Sequence, residues 1–137
     1  MNTDSDLLIQ LNQTIGKVQK HLVWPLSGHG IGFSEYLVLR YLYQSSGRKL
    51  RRIDLADKVG LSASGVTRLL NPMEKIGLVA KEEAPRDARV SLVVLTEAGE
   101  RIFTESDASF AIAAEGVFSA LDSQEKTVLA GIVAKLG

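Results

Sequence analysis

Apolar residues recur along this chain at helical spacing in six segments and at strand spacing in one pair of runs. Near the start, Leu8, Leu11, Ile15, Val18 and Leu22 follow at intervals of three and four. They form one apolar stripe on a helix ending near Trp24-Pro25, and that stripe needs a partner surface. Ser27-Gly28-His29-Gly30-Ile31-Gly32 carries three glycines within five residues and reads as a loop. It lacks the Lys-Ser/Thr pair and the preceding strand of a phosphate-binding loop. Ser34 can cap a helix over 35–44 that turns Leu39 and Leu42 inward, and Ser45-Ser46-Gly47 ends it.

The basic run Arg48-Lys49-Leu50-Arg51-Arg52 leads into a short helix with Leu55, Ala56 and Val59 on its buried edge, and Gly60 suits the left-handed position just past its end. Ser62 can cap the following helix, in which Val66, Leu69, Leu70, Met73 and Ile76 make an inward face. Ser64, Gly65, Thr67, Arg68 and Asn71 are left outside. Two short amphipathic helices sharing a glycine-centred turn are the pattern of a helix-turn-helix, whose second helix enters the major groove of DNA. The outward residues are small or polar, and Arg68 can reach base edges. The alternative is a solvated polar face. Pro72 inside this helix predicts a kink without a break, because Met73 and Ile76 keep the apolar register; Gly77 then ends it.

From Leu78 the period changes to that of strands. Residues 79–84 and 89–95 are rich in alternating and β-branched positions, and Pro85-Arg86-Asp87-Ala88 between them is turn chemistry, so a two-stranded hairpin is expected. In a winged helix such a tip reaches the minor groove, where Arg86 and Arg89 meet a narrow, negative channel. Asp87 would be repelled by phosphate. Its expected task is to hold Arg89 or the turn backbone by a charge-assisted hydrogen bond. The alternative for the arginines is the solubility of an exposed hairpin.

These segments together resemble the MarR family of bacterial winged-helix transcriptional regulators over about residues 33–99. The resemblance rests on Asp54-Leu55-Ala56, on Leu61-Ser62-Ala63-Ser64-Gly65-Val66-Thr67-Arg68-Leu69, and on Met73-Glu74-Lys75-Ile76-Gly77-Leu78-Val79. It rests above all on Arg86-Asp87-Ala88-Arg89 followed by Val94-Leu95-Thr96-Glu97-Ala98-Gly99. Three positions depart from the family pattern: Ala88 where a second basic wing residue is common, Met73 in place of Leu, and Ile53 where a capping Ser is frequent. The resemblance implies a homodimer held by its N- and C-terminal helices. It also implies a crevice for a small, often aromatic or phenolic, anionic effector, which points to Trp24, Tyr36, Arg40 and Tyr43. Arg40 could pair with a carboxylate there while the rings stack on a flat ligand; the alternative is core aromatics beside a surface arginine.

The flanks agree with that arrangement. Thr96 can cap a long helix with Glu97 and Glu100 in its first turn, along which Phe103, Ser106, Phe110, Ala113, Val117 and Ala120 recur at intervals of three and four. Ile102, Ile112, Phe118 and Leu121 widen its apolar face. Asp122-Ser123-Gln124-Glu125 resembles a capping box, and Val128, Leu129, Ile132, Val133 and Leu136 make a last amphipathic helix. Stripes of this extent predict packing of the first, fifth and sixth helices against a twofold mate. The expected fold is thus mainly α with a small β-hairpin, a winged helix-turn-helix of about six helices in one domain over 1–137. Its DNA-binding part is about 33–99 and its dimerisation helices are about 5–24 and 97–136.

Composition changes this picture at two points. The net charge is zero, yet it is unevenly spread. Residues 1–47 balance, residues 48–90 hold ten basic and six acidic side chains, and residues 91–137 hold three basic and seven acidic ones. The positive block coincides with the helix-turn-helix and hairpin, as contact with phosphate requires, although a solvated surface is the simpler alternative. The chain has no cysteine and two histidines, His21 and His29. A cysteine redox switch is therefore excluded, zinc sensing is disfavoured, and no nucleophile, carboxylate pair or metal triad for an enzyme stands out. Each histidine reads as a surface or packing residue. With 45% hydrophobic and 23% charged residues over 137 positions, no apolar run of membrane length and an acidic start, Met1-Asn2-Thr3-Asp4-Ser5-Asp6, the expectation is a soluble cytoplasmic protein without a secretion signal, a cofactor or a membrane partner. The competing function is a winged helix used only as a protein-interaction or architectural module.

Overall fold

The computed structural model describes residues 3–137; Met1-Asn2 of the acidic start and the side chain of Ala88 lie outside the described residues. The elements run α1 (Asp4–Ser27), α2 (Phe33–Gln44), a 3-10 turn (Ser46–Arg48), β1 (Lys49–Arg51), α3 (Arg52–Val59), α4 (Ala63–Lys75), β2 (Val79–Ala84), β3 (Asp87–Leu95), α5 (Glu97–Val117) and α6 (Ser123–Leu136). The expected mainly helical winged-helix architecture with six α-helices is borne out.

Helix starts are set by local chemistry. Ser62 Oγ accepts from the Gly65 amide at 3.1 Å, Thr96 Oγ1 from the Gly99 amide at 3.0 Å, and Asp122 Oδ1 from the Glu125 amide at 2.8 Å. Each satisfies an N–H that the helix itself leaves free. At Asp122 the Glu125 carboxylate returns the bond to the cap amide at 3.1 Å, completing the capping box.

Several local expectations are corrected. Helix α1 runs through Pro25 to Ser27. A proline in the last turn removes only one backbone bond, and one more turn buries Leu26. Helix α2 begins at Phe33, so Ser34 is not its cap; Gly32 is, with its amide donating to Glu35 Oε1 at 2.8 Å. Lys49–Arg51 form a third strand rather than a plain lead-in to α3, giving an antiparallel sheet in the order β1-β3-β2. In this sheet Leu50 pairs with Val93, and Ala80 with Val94. The hairpin turn is also tighter than expected. Only Pro85 and Arg86 lie between the strands, and Asp87 already belongs to β3, with a register shift at Glu83/Ala84.

The core sits under α2. Tyr36, Val38, Leu39 and Leu42 are buried against Leu55, Val66, Leu70 and Met73 of the helix-turn-helix, Val79, Val93 and Leu95 of the sheet, and Phe103 of α5. Burial of each large apolar side chain stabilises by roughly 1.5–3 kcal/mol, which holds α4 rigidly on the body. Ile76, expected inward, is 63% exposed, because α4 stops at Lys75 and Gly77 (φ 81°) turns the chain away one residue later. Helix α4 passes through Pro72 unbroken.

Helices α1 and α5 pack on each other and both touch α2. Of the N-terminal stripe only Leu22 is buried; Leu8, Leu11 and Ile15 face outward. Phe110 stacks on Tyr36 with centroids 4.3 Å apart, so that part of the α5 stripe is covered within the chain. Ala120 falls beyond the end of α5. Helix α6 buries no side chain, leaving Val128, Leu129, Ile132, Val133 and Leu136 uncovered.

Candidate nucleic-acid interface

The turn between α3 and α4 closes as its sequence requires. Gly60 takes φ 78°, a conformation costly for any residue with a Cβ. Its amide donates to the Asp57 carbonyl at 3.2 Å, and that of Leu61 to the Ala56 carbonyl at 2.9 Å. These two bonds finish α3 in the Schellman manner. Ser62 then starts α4 at once, so the two helices meet at a fixed angle.

Ser62, Ser64, Arg68 and Asn71 are exposed on α4 and its cap, as placed from the sequence. Arg68 and Asn71 make no side-chain hydrogen bond or ion pair among the described residues, so their donors and acceptors are uncommitted. Gly65 is half-buried. A Cβ there would lie 3.2 Å from Ser62 Oγ and 3.4 Å from Leu61 Cβ, so the turn itself favours glycine whatever approaches from outside. Thr67 is half-buried and engaged: its hydroxyl donates to the Ala63 carbonyl at 3.0 Å and accepts from Arg52 Nη1 at 3.0 Å. One acceptor lone pair remains for an outside partner.

The wing carries Arg86 at its tip, exposed in the two-residue turn. Asp87 accepts the Arg89 backbone amide at 3.0 Å and its guanidinium at 3.1 Å (Nε) and 3.4 Å (Nη2). The carboxylate thus holds both the strand backbone and the arginine, as its spacing suggested. These bonds from Arg89 keep the Asp87 carboxyl below the usual carboxylate range, so it is ionised at neutral pH. Arg89 remains 91% exposed, a pre-oriented cation at the wing edge.

Between the first turns of α3 and α4 and the wing strand lies an open cleft of about 590 Å³. Arg51, Arg52 and Arg89 line it together with the apolar Ile53, Val66 and Val90. Arg51 is bound to Asp54 at 2.9 and 3.2 Å. Sequence reasoning noted the basic run at 48–52 but not that two of its arginines line a cleft with α4; that requires knowing how α3 crosses α4.

Of the four residues named for an effector, Tyr36 and Arg40 are in direct contact and Tyr36 and Tyr43 both pack on Phe103. Tyr36 is fully buried; its hydroxyl donates to Asp107 Oδ1 at 2.5 Å and accepts from Arg40 Nη1 at 2.8 Å. Burial first, and then the bond to Asp107, push the phenol up to about 12. Arg40 also lies 3.5 Å from Asp107. Tyr43 packs on Phe103 at 4.7 Å and under the Arg48 guanidinium at 4.0 Å, while Arg48 also donates to the Tyr43 carbonyl and pairs with Glu100. These contacts hold Arg48 at φ 57°, a sparsely populated conformation for a non-glycine residue. Trp24 is 85% exposed on α1. His29 Nε2 bonds Ser109 Oγ at 2.9 Å, tying the glycine loop to α5.

The sequence profile described as MarR family matches residues 29–90, from the loop after α1 to the wing strand. Over this segment the chain is similar to the MarR family. It is 24% identical over 131 residues to the HTH-type transcriptional regulator MhqR of Bacillus subtilis, covering 96% of this chain and 89% of that one. Among solved structures it is similar to Sco3205, a MarR family transcriptional regulator from Streptomyces coelicolor in complex with DNA, with a TM-score of 0.89, 23% identity, and coverage of 99% of this chain and 88% of that chain. Bordetella bronchiseptica BpsR, described with a mechanism for regulation of its DNA binding by 6-hydroxynicotinic acid, shares the fold at a TM-score of 0.86 and 16% identity over 96% of this chain and 98% of its own. The winged helix shared with these structures is the frame on which the α4 face and the Asp87-Arg89 wing are displayed. Among the described residues no helix is long and apolar enough to cross a membrane.

Proposed function

We propose that this chain is a MarR-family, sequence-specific, ligand-responsive transcriptional repressor that acts in the cytoplasm as a homodimer on a palindromic operator. The observation that carries the reading is the exposed face of α4. Arg68 and Asn71 there are spent on nothing within the chain, and Arg89 stands locked and charged on the adjacent wing. In a module that served only protein contacts, these donors would have no fixed counterpart in the grooves of a duplex. On this reading Ser62, Ser64, Gly65, Thr67, Arg68 and Asn71 meet the major groove, and Arg86, Asp87 and Arg89 form the minor-groove element. The chain works as one domain, with DNA-binding part 33–99 and dimerisation helices 5–24 and 97–136. The uncovered stripes of α1 and α6 support the dimer, because exposed apolar faces of that extent call for a partner.

The effector is a small aromatic or phenolic anion held near Trp24, Tyr36, Arg40 and Tyr43. Its carboxylate or phenolate would take Arg40 from Asp107, so that binding rearranges the contact between α2 and α5. BpsR, with the same fold, is described with regulation of DNA binding by an aromatic compound of this class.

The test is a titration of the dimer against duplex from its own upstream region at several salt concentrations. Arg68→Ala is expected to lose about 1–3 kcal/mol of discrimination at one base pair per half-site. Arg89→Ala should weaken binding to all sequences and lower the magnitude of the log-log salt slope by up to ~1 per wing, with Asp87→Ala a weaker copy. Equal loss on every sequence in Arg68→Ala would make it a phosphate contact, and unchanged affinity and slope in Arg89→Ala would remove the wing from the interface. In the same titration, benzoate at millimolar concentration should release the DNA; undiminished binding would remove the effector site.

A further inference from the structure

We infer that Arg52 is a DNA-binding residue: anchored on Thr67, it is the cation that seats the phosphodiester strand crossing the cleft between α4 and the wing. The inference rests on the proposed DNA binding and adds to it a contact that lies on neither the reading helix nor the wing. A recognition helix in the major groove and a wing in the neighbouring minor groove leave one sugar-phosphate strand running between them. In this chain the space between those two elements is the cleft bordered by Arg51, Arg52 and Arg89.

The three arginines are not equivalent. Arg51 is held in an ion pair by Asp54, and Arg89 is tied to Asp87 on the wing side. Among the described residues no carboxylate lies within 4.0 Å of Arg52, and Asp57, the carboxylate on the cleft wall, forms no ion pair. Arg52 therefore brings a full charge to the cleft. Its direction is set by Thr67. That hydroxyl is fixed by donating to the Ala63 carbonyl, and it receives one N–H of Arg52 at 3.0 Å. A guanidinium has five N–H donors in a rigid fork, so one bond orients the plane and leaves four for phosphate oxygens. The half-buried Thr67 is the stiff partner and the long arginine the adjustable one, so Thr67 orders Arg52 rather than the reverse. The apolar lining residues Ile53, Val66 and Val90 suit a deoxyribose face and carry no group that competes for the charge.

Affinity and salt slope are measured on two duplexes, one carrying the selected operator and one of arbitrary sequence, because a phosphate contact does not read bases. Arg52→Met, which keeps the length and removes every donor, should weaken binding to both by the same factor and lower the slope magnitude by roughly 1 per protomer, with base preference unchanged. Thr67→Val should reproduce part of the slope change through the freed arginine, and Thr67→Ser, which keeps the hydroxyl, should restore it. Arg52→Lys should recover the slope. Should Arg52→Met fail to fold by circular dichroism, Arg52→Gln takes its place. An unchanged slope, or a changed base preference with the slope intact, overturns the inference. Failure of the unsubstituted protein to bind either duplex would instead overturn the proposed function.

Discussion

Gly99→Ala is expected to loosen the junction between the wing and α5, although it adds one methyl group. An alanine Cβ at this place would lie 2.1 Å from the Leu78 carbonyl oxygen and 2.7 Å from Leu95 Cδ1. Neither neighbour can give way cheaply. The Leu78 carbonyl accepts the Thr96 amide at 3.2 Å, and the Thr96 hydroxyl holds the adjacent Gly77 carbonyl at 2.6 Å, while Leu95 is part of the core. Overpacking costs about 1–3 kcal/mol and more when backbone must move, which for a chain of this size lowers the thermal midpoint by roughly 10 °C. Gly131→Ala provides the control: it sits in a helix with nothing within 4 Å of the new methyl. It should leave the midpoint unchanged or raise it slightly, since alanine favours helix by about 1 kcal/mol. A Gly99→Ala midpoint within about 2 °C of the unsubstituted protein would show that the close approach is not a constraint.

The second large effect is expected from α6. Ile132 and Leu136 are 50% and 69% exposed and lie one helical turn apart on a helix that buries nothing in its own chain. Ile132→Asp with Leu136→Asp should therefore leave the thermal stability of the isolated winged helix intact while placing two charges in the proposed twofold interface. Sedimentation at micromolar concentration should show a dimer for the unsubstituted protein and a monomer for the double variant. Operator affinity should fall by about 10²–10⁴-fold, because two linked half-site contacts become separate ones. A double variant that remains dimeric would move the interface away from α6, and a monomeric unsubstituted protein would remove the homodimer.

Which features were readable from the chain follows from how local their causes are. The caps at Ser62, Thr96 and Asp122 and the left-handed Gly60 rest on bonds across three or four residues, so residue type and spacing suffice. The same holds for Asp87 and Arg89, two residues apart. Strand β1 was missed because Lys49-Leu50-Arg51 has no pattern of its own and exists through pairing with Leu92, Val93 and Val94. Ile76 kept the helical register on paper but lies past the point where Gly77 turns the chain. The pairing of Arg40 was hidden for a related reason. Arg40 looked available because Asp107, its partner, stands 67 residues away on α5. Likewise the Arg52–Thr67 bond joins two helices, and only their crossing brings the arginine beside the reading face.

Sequence-specific reading by α4 is tested most directly by selection of bound duplexes from random DNA with the full chain. Arg68 and Asn71 displayed twice by a twofold dimer predict enrichment of an inverted repeat whose half-sites are centred about 10–10.5 base pairs, or a multiple of that, apart. The preference at one base pair in each half should be lost in Arg68→Ala. Recovery of no common motif, or binding that depends on salt alone and not on sequence, would contradict it.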